Sequence, residues 1–261
     1  MCRSLSEITP EHLLYMSAAD LGTETRTSNA TVIRTLQALG YSGLAELKGL
    51  VAGPFSTAIP PEVRTRRRME ATGGDLQKVW DRVTTESMDR IELLRRTFSL
   101  ERYEAAVHLM LEAREITTYG FGASFVVADH LALKLRRMGR RSRSMNASGF
   151  RLADELLGIE RGDVLVLFTP GRLLTDVEVL LDRTRTVGAT TILVTDELIG
   201  RLDDAVTVTL HAPNTPTGLT GEPLTTMVLA DALAQGVATS DVERTVEASH
   251  TLTTVRQQLG F

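Results

Sequence analysis

The sequence predicts an α/β protein in which a small all-α helix-turn-helix domain precedes a doubly wound parallel-sheet domain. Residues 17–48 read as two short helices joined by a tight turn, with small and polar residues on the second helix. Beyond residue 113, short β-prone runs alternate with helical ones, which is typical of βαβ units and a parallel sheet. We expect a helix-turn-helix domain over 1–72, a helical connector over 73–111 that packs in part on the sheet domain, and a ligand-binding sheet domain over 112–261.

The composition is that of a globular protein. The 261 residues are 43% apolar, enough for a packed core, and carry a net charge of -4. That balance argues against a generally basic nucleic-acid coat but permits a local basic face. No apolar run reaches the roughly 18 residues needed to cross a bilayer, and the N-terminus lacks a secretion signal. Because Cys2 is the only cysteine, an internal disulfide is excluded, and we expect a cytoplasmic protein that does not associate with membranes.

Capping residues set the limits of the two N-terminal helices. Ser17 is placed to cap the first helix, with Asp20 near its positive end. Ser28 is placed to cap the second, which Gly40 ends at a position that favours a left-handed backbone. The interval 24–27 between them is the right length for a helix-turn-helix turn.

The second helix carries side chains that suit the major groove of DNA. Its early residues would meet base edges, where asparagine pairs with adenine, arginine pairs with guanine and a threonine methyl touches thymine. The candidate DNA-binding residues are Ser28, Asn29, Thr31, Arg34 and Thr35. The apolar residues available to pack inward or to touch the groove are Val32, Ile33, Leu36 and Leu39. A helical hairpin in any α-helical core would show similar spacing, so the pattern by itself leaves that alternative open.

An amphipathic helical pattern follows this segment. Its apolar residues repeat at a period near 3.6, and Gly73-Gly74 followed by Asp75 marks a break and an N-cap before it. The apolar positions are Leu76, Val79, Trp80, Val83, Met88, Ile91 and Leu94. We interpret the segment as a connector and Trp80 as a packing anchor.

Five short runs predict the strands of a parallel sheet buried on both faces. They lie at 116–120, 142–145, 164–168, 191–195 and 205–210, with helices between them and two more at 222–238 and 241–259. Ligands bind outside the carboxyl ends of such strands. There, Gly120-Phe121-Gly122-Ala123-Ser124 allows close backbone approach and offers a hydroxyl at a helix N-terminus. The third glycine of a dinucleotide fingerprint is absent, and a tight turn is as consistent with this loop as a pocket.

Catalysis is the minority interpretation. Isomerisation needs a general base that moves a proton between adjacent carbons, for which the candidates are His130, Glu155, Glu178 and His211. Such residues are more often surface or capping groups, and the sequence has no metal-ligand spacing, nucleophile elbow or P-loop. We expect no catalytic residues, no metal and no cofactor.

The run ATVIRTLQALGYSGLAELK resembles the N-terminal domain of the RpiR, or MurR, family of bacterial transcriptional regulators. In that family a helix-turn-helix ending in a VxRxxxxLGaxGaxELK-like run, where a is aromatic or apolar, precedes a sugar-isomerase (SIS) domain. The matching residues are Val32, Arg34, Leu39, Gly40, Tyr41, Gly43, Leu44, Glu46, Leu47 and Lys48. Two features depart from the family. Arg26 occupies a turn position usually filled by glycine, so the turn carries strain or another shape, and the leading helix looks shortened.

Residues 100–261 resemble an SIS domain, and the loop at 120–124 corresponds to its first ligand loop. The second ligand loop, usually SxSGxT, aligns on Gly171. The ligand-binding residues that the resemblance implies are Gly120, Gly122, Ser124, Thr169, Gly171 and Arg172.

The second loop keeps only its glycine. Phe168 and Pro170 replace the two serines and Leu173 replaces the threonine, so several neutral donors are lost. Thr169 supplies the remaining hydroxyl, and Arg172 can fork onto a phosphate or a carboxylate. We expect the pocket to persist for a sugar phosphate or a related anion, with the altered loop favouring something other than an ordinary sugar phosphate.

These features imply a ligand-responsive bacterial transcription factor. Its expected partners are a double-stranded DNA operator, a small-molecule effector and further copies of the chain in a homodimer or higher homo-oligomer. The alternatives are an SIS-type sugar-phosphate isomerase and a ligand-sensing module that does not bind DNA.

Overall fold

The structure is a computed structural model that describes residues 8–52, 61–171, 173–214 and 223–261. It divides into two compact units, an N-terminal unit of residues 1–97 with 213–224 and a sheet unit of residues 98–212 with 225–261. Within the described ranges, no helix is long and apolar enough to cross a membrane.

The described part of the N-terminal unit is helical. Its helices are α1 (Pro10–Tyr15), α2 (Ala18–Glu24), α3 (Asn29–Ala38), α4 (Leu44–Ala52), α5 (Pro61–Thr72) and α6 (Leu76–Thr97). They enclose a small apolar core made of Leu13, Met16, Ala18, Leu21, Val32, Leu36 and Leu44. Val32 and Leu36 are fully buried, whereas Leu39 lies at the end of α3 and is half exposed. Leu39 therefore does not pack inward with the other apolar residues of α3.

Helix α6 corrects one prediction. Trp80 is 65% exposed, so it is not the packing anchor that its place in the apolar pattern indicated. Leu76 and Met88 are exposed as well, while Arg82 and Arg90 are buried. The reason is that the inner side of α6 packs against the N-terminal helices largely through charged groups. Leu94 is buried, whereas Leu76, Trp80 and Met88 lie outside that contact.

The sheet unit contains five parallel strands in the order β2-β1-β3-β4-β5. The strands are β1 (Ile116–Gly120), β2 (Ser142–Met145), β3 (Val164–Phe168), β4 (Thr190–Thr195) and β5 (Val208–His211). The helices are α7 (Leu100–Glu112), α8 (Ala123–Arg137), α9 (Gly149–Leu156), α10 (Thr175–Val187), α11 (Pro223–Ser240) and α12 (Val242–Gln258). Every residue of β1 and β3 is buried, as expected for a sheet covered on both faces. The predicted α/β class is confirmed.

The limits of the predicted strands agree closely with the structure except at the last strand. The sequence pattern placed that strand at 205–210, but a 3₁₀ turn occupies Asp203–Ala205 and β5 begins at Val208. A β-prone sequence cannot distinguish residues that pair with β4 from those that approach it in a turn.

An ion pair joins the residues that precede the neighbouring strands β1 and β3. The Arg114 guanidinium donates to both carboxylate oxygens of the buried Asp163, with both distances 2.9 Å. Asp163 also accepts a hydrogen bond from the Glu160 amide. These bonds hold the starts of β1 and β3 together.

Candidate functional sites

The first candidate site is the helix-turn-helix formed by α2 and α3. Ser17 and Asp20 form a reciprocal capping box at the start of α2, in which Ser17 Oγ accepts from the Asp20 amide and Asp20 accepts from the Ser17 amide. Ser28 caps α3 by accepting from the Thr31 amide at 3.2 Å. Both predicted N-caps are confirmed, and they set where the second helix begins.

The turn between the helices depends on close packing and on one strained residue. A Cβ on the buried Gly22 would lie 2.8 Å from the Thr27 carbonyl oxygen, so α2 and the end of the turn meet at a distance that only glycine permits. Arg26 has a φ of 52°, in the left-handed region that favours glycine. The strain expected from the departure at this position is therefore present. Sequence reasoning missed Gly22, which lies within α2 and has no turn signal.

The five candidate DNA-binding residues differ in exposure and in the hydrogen bonds they make within α3. The hydroxyls of Ser28 and Thr35 bond within α3, since Ser28 caps the helix and Thr35 donates to the Thr31 carbonyl at 2.9 Å. Asn29 and Arg34 are exposed, and Arg34 uses only its Nε in a 3.3 Å bond to the Ala30 carbonyl. Thr31 is half-buried and its hydroxyl lies 2.9 Å from that of Ser28. Of the five candidates, Asn29 and Arg34 are thus the ones with exposed side chains that do not cap the helix.

The second candidate site is the carboxyl edge of the sheet, where the loops after β1 and β3 lie side by side. Gly120 is paired with Phe168 across β1 and β3. A Cβ on Gly120 would lie 2.4 Å from the Ser124 carbonyl oxygen, so this glycine lets the first turn of α8 fold onto the strand end. Gly122 has a φ of 57°, and Ser124 is buried at the start of α8. The loop is both a tight turn and part of this edge.

The loop after β3 is held by the loop after β4. The Pro170 carbonyl accepts from the backbone amides of Asp196 and Glu197 at 3.0 and 2.9 Å. Thr169 is buried and donates its amide to the Val194 carbonyl. A Cβ on Gly171 would lie 2.7 Å from Glu197 Oε2, so the Glu197 carboxylate rests against this glycine. Arg172 lies outside the described residues.

The same edge contains polar groups that the sequence patterns did not bring together. Asp196, after β4, lies 3.0 Å from the imidazole Nε2 of His211 at the end of β5. Away from this edge, in the last turn of α9, Glu155 Oε2 is buried without a hydrogen-bond partner among the described residues. Burial, together with the nearby carboxylates of Asp176 and Glu155, raises the pKa of Tyr119 to about 12. Strand order could have suggested the Asp196 and His211 pair, because Asp196 directly follows β4 and His211 ends the neighbouring β5.

The remaining candidate bases are dispersed. His130 lies on α8 and its Nε2 is 2.8 Å from Asp231 on α11, a contact that lowers the pKa of the Asp231 carboxyl, with burial opposing it. Glu178 is exposed on α10. Among the described residues, no group of three or more histidine, cysteine, aspartate or glutamate side chains could hold a metal ion.

Comparison with known proteins identifies the sheet unit. Residues 109–236 match the SIS domain family. The chain is 29% identical over 136 residues to the uncharacterized HTH-type transcriptional regulator YfhH of Escherichia coli K12. That alignment includes 50% of this chain and 46% of YfhH, so the chain spans about half the length of this relative.

Two solved structures share the fold. The sugar isomerase domain of the RpiR transcription factor from Sphaerobacter thermophilus superposes with a TM-score of 0.62 at 21% identity, covering 66% of this chain and 97% of that one. The Vibrio vulnificus NanR protein complexed with ManNAc-6P also gives a TM-score of 0.62, at 20% identity, covering 95% of this chain and 88% of that one. At these identities the likenesses establish the fold.

Proposed function

We propose that the chain, whose residues 109–236 match the SIS domain family, is a ligand-responsive, DNA-binding transcriptional regulator of the RpiR family. The observation that supports this function most directly is that one chain joins a capped helix-turn-helix, with Asn29 and Arg34 exposed, to an SIS domain. Neither feature alone would favour a regulator, because helical hairpins and SIS domains both occur in other contexts.

For DNA reading we propose that α3 lies in the major groove. Asn29 and Arg34 would pair with adenine and guanine, and Thr31 would present its methyl to thymine. Ser28 and Thr35 would act by holding the helix, since their hydroxyls already bond within it. This assignment retains all five candidate residues but gives them different roles.

For the effector we propose a sugar phosphate or a related anion bound at the carboxyl edge of the sheet. NanR, which shares the fold, was solved with ManNAc-6P. Gly120, Gly122 and Ser124 would hold one side of the ligand, and Thr169, Gly171 and Arg172 the other. Because the Glu197 carboxylate rests against Gly171, we expect ligand hydroxyls rather than phosphate oxygens to face that carboxylate.

The DNA-binding proposal is tested with duplexes from the DNA upstream of the protein's own gene and with duplexes of random sequence, at a fixed, moderate salt concentration. We expect tighter binding to the upstream duplex, and a loss of that preference by about tenfold or more in Asn29→Ala or Arg34→Ala. Arg185→Ala, which removes the same charge from an exposed position on α10, is the matched control and should keep the preference. Equal affinity for both duplexes would contradict the proposal.

The effector proposal is tested by thermal denaturation with phosphorylated sugars, amino sugars, acids and unphosphorylated analogues. A ligand that binds the folded state raises the Tm as its concentration exceeds Kd. Gly120→Ala should abolish the stabilisation because its Cβ would meet the Ser124 carbonyl oxygen. Gly49→Ala, where a Cβ meets nothing within 4 Å, should retain it. Stabilisation that survives in Gly120→Ala would place the ligand elsewhere.

We further propose that the protein is a regulator rather than an isomerase. The candidate bases lie on separate elements, and His130 is engaged with Asp231. The Asp196 and His211 pair at the ligand edge is the feature that most favours the isomerase alternative. Turnover of a phosphosugar that disappears in His211→Gln would overturn the non-enzymatic assignment.

A further inference from the structure

A groove runs along the surface of the sheet unit between α8 and α12. It has a volume of about 660 Å³ and is lined by the end of α8 and by the stretch of α12 from Arg244 to Arg256. That stretch of α12 is about 18 Å long at the rise of an α-helix. The ligand loop at 120–124 precedes the start of α8, so the α8–α12 groove is a separate feature.

Helix α12 packs on α8 without burying any of its own residues, all of which the structure describes. Ala248 and Leu252 are half-buried. Gly139, after α8, permits a close approach, because a Cβ there would lie 3.2 Å from the Ala248 Cβ. The buried Arg140 pairs with Asp241, the N-cap of α12. The start of the helix is therefore held in place, while most of its surface is uncovered.

The charged side chains that line the groove are mostly positive. They are Arg136, Arg137, Arg244, Arg256 and Glu247. Among the described residues, no carboxylate oxygen lies within 4.0 Å of the four guanidinium groups. Neighbouring carboxylates pair with other cations, Asp241 with Arg140 and Asp231 with Lys134. Glu243, the other acidic residue of α12, does not line the groove. Four arginines against one glutamate leave an excess of three positive charges.

This positive charge has little local compensation. Arg136 donates to the neutral Ser142 carbonyl at 3.2 Å, which leaves its charge without a counter-ion among the described residues. Burial lowers the pKa of Arg140, and the guanidinium of the nearby Arg244 lowers it further, with the Asp241 carboxylate opposing both. Like charges gathered on one surface favour a partner with negative charge.

The groove also has an apolar floor, which favours a protein partner over a nucleic acid. The floor consists of Leu133, Ala248, Leu252 and Val255, of which Leu133 and Val255 are 38% and 45% exposed. Nucleic-acid phosphates would meet the arginines but would not cover these apolar side chains. An amphipathic helix would do both, since its apolar face lies in the groove and acidic residues beside that face meet the arginines.

The helices of a second copy of this chain do not offer that combination among the residues that the structure describes. Helix α7 exposes Glu101 and Glu104, but its apolar residues Val107 and Met110 are buried in its own core. Helix α6 exposes Trp80, but its exposed charges are of both signs. A two-fold contact of the groove with itself would bring two positive surfaces together, which is unfavourable.

We propose that the α8–α12 groove binds an acidic amphipathic helix of a partner protein. Apolar residues of that helix, spaced at i, i+4 and i+7, would cover the floor, and its flanking carboxylates would pair with the arginines. This interaction goes beyond the regulator function and requires neither DNA nor an effector.

The test uses the full chain and a fluorescent synthetic helical peptide of about 14 residues, enough to span the groove. The peptide carries leucine along one face and glutamate on both flanks. One control peptide has the same composition in scrambled order, and the other has glutamine in place of glutamate. In fluorescence anisotropy we expect saturable binding of the first peptide and at least about tenfold weaker binding of each control. Equal binding of the scrambled peptide would overturn the proposal.

Charge reversal locates the site. Arg137→Glu combined with Arg256→Glu should weaken peptide binding by about tenfold or more. Arg151→Glu combined with Arg201→Glu makes the same change at exposed positions elsewhere in the sheet unit and should leave binding unchanged. A peptide with lysine in place of glutamate should bind the Arg137 and Arg256 double variant more tightly than the wild type, which a merely misfolded variant would not do. Absence of that recovery would contradict direct contact.

Two further outcomes would assign the groove to a different occupant. If a duplex of random sequence displaces the peptide from the wild type, the groove is a nucleic-acid surface. If Val255→Asp converts an oligomer to a monomer in sedimentation without peptide, the groove is an interface between copies of this chain. Either result would overturn the proposal.

Discussion

At residue 26 the turn between α2 and α3 needs a left-handed backbone, and the chain has an arginine there. A non-glycine residue in this region costs on the order of 1–2 kcal/mol, because its Cβ approaches the following carbonyl oxygen. Arg26 is the only non-glycine residue with a positive φ in the part of the chain that the structure describes. The surrounding helices and the Gly22 contact hold it in place.

We therefore expect Arg26→Gly to stabilise the protein. Removing the Cβ relieves the strain, and the greater freedom of glycine in the unfolded chain offsets part of the gain, which leaves about 0.5–1 kcal/mol. Chemical denaturation measures the change in the free energy of unfolding. Arg26→Ala is the control, because it removes the charged side chain but keeps the Cβ. If both variants are equally stable, the strain is not at this backbone position.

The pKa of Lys48 leads to a pH prediction at the same scale. Burial lowers it to about 8 from the ordinary 10.5, with Glu86, Arg82 and Asp89 of α6 and Asp20 of α2 around it. Between these pH values the unfolded chain holds a proton that the folded chain has released, so stability rises with pH by up to about 3 kcal/mol. This contribution should appear as a difference between the wild type and Lys48→Met in denaturation at pH 7.5–10.5, about the window set by the two pKa values. An unchanged difference across this range would contradict the burial of a charged ammonium.

At the scale of elements, the helix-turn-helix depends on two local N-caps and on one close backbone contact between α2 and the turn. Both caps were predictable from Ser17 and Ser28, because capping is a local interaction within three or four residues. The contact between Gly22 and the Thr27 carbonyl was not, since it depends on how the turn brings α2 back toward α3.

Gly22→Ala should destabilise the N-terminal unit by about 1–3 kcal/mol, because the added Cβ would clash with the Thr27 carbonyl oxygen. That oxygen belongs to the backbone and cannot move away by a change of side-chain rotamer. The control is Gly49→Ala on the exposed side of α4, where alanine should instead stabilise the helix by about 0.5–1 kcal/mol. Thermal denaturation and hydrogen exchange of the α2 and α3 amides measure both effects. Similar stabilities for the two variants would show that the helices separate to accept the methyl group.

The sheet shows the same division between local and long-range information. The runs at 116–120, 142–145 and 164–168 matched the observed strands because buried parallel strands are recognisable as short apolar or β-prone segments between helices. Their order could not be deduced from the runs themselves. The placement of Glu197 against Gly171 follows from that order, since β4 neighbours β3.

At the scale of the whole molecule, the homodimer expected from the sequence leads to a prediction about DNA. Two recognition helices related by a two-fold axis would contact half-sites about one helical turn apart, roughly 34 Å or 10–10.5 base pairs. In the DNA upstream of the protein's own gene, footprinting should therefore reveal two protected half-sites with this spacing.

Changes of spacing test that geometry. Inserting about 5 base pairs between the half-sites turns them to opposite faces of the duplex and should weaken binding by at least about tenfold. Inserting about 10 base pairs restores the phase and serves as the control. Equal binding to the two altered duplexes would indicate that the chain reads each half-site independently.

The sequence by itself determined the α/β class, the helix caps around the turn, most strand limits and the resemblance of both segments to the RpiR family. These features depend on neighbouring residues, periodicity and motif spacing, all of which can be read from the sequence. Only the tertiary structure decided that Trp80 lies outside while Arg82 and Arg90 lie inside, and that Lys48 shares a cavity wall with them. Those outcomes depend on contacts between residues more than 30 positions apart, and no local pattern specifies which side of an amphipathic helix its partners cover.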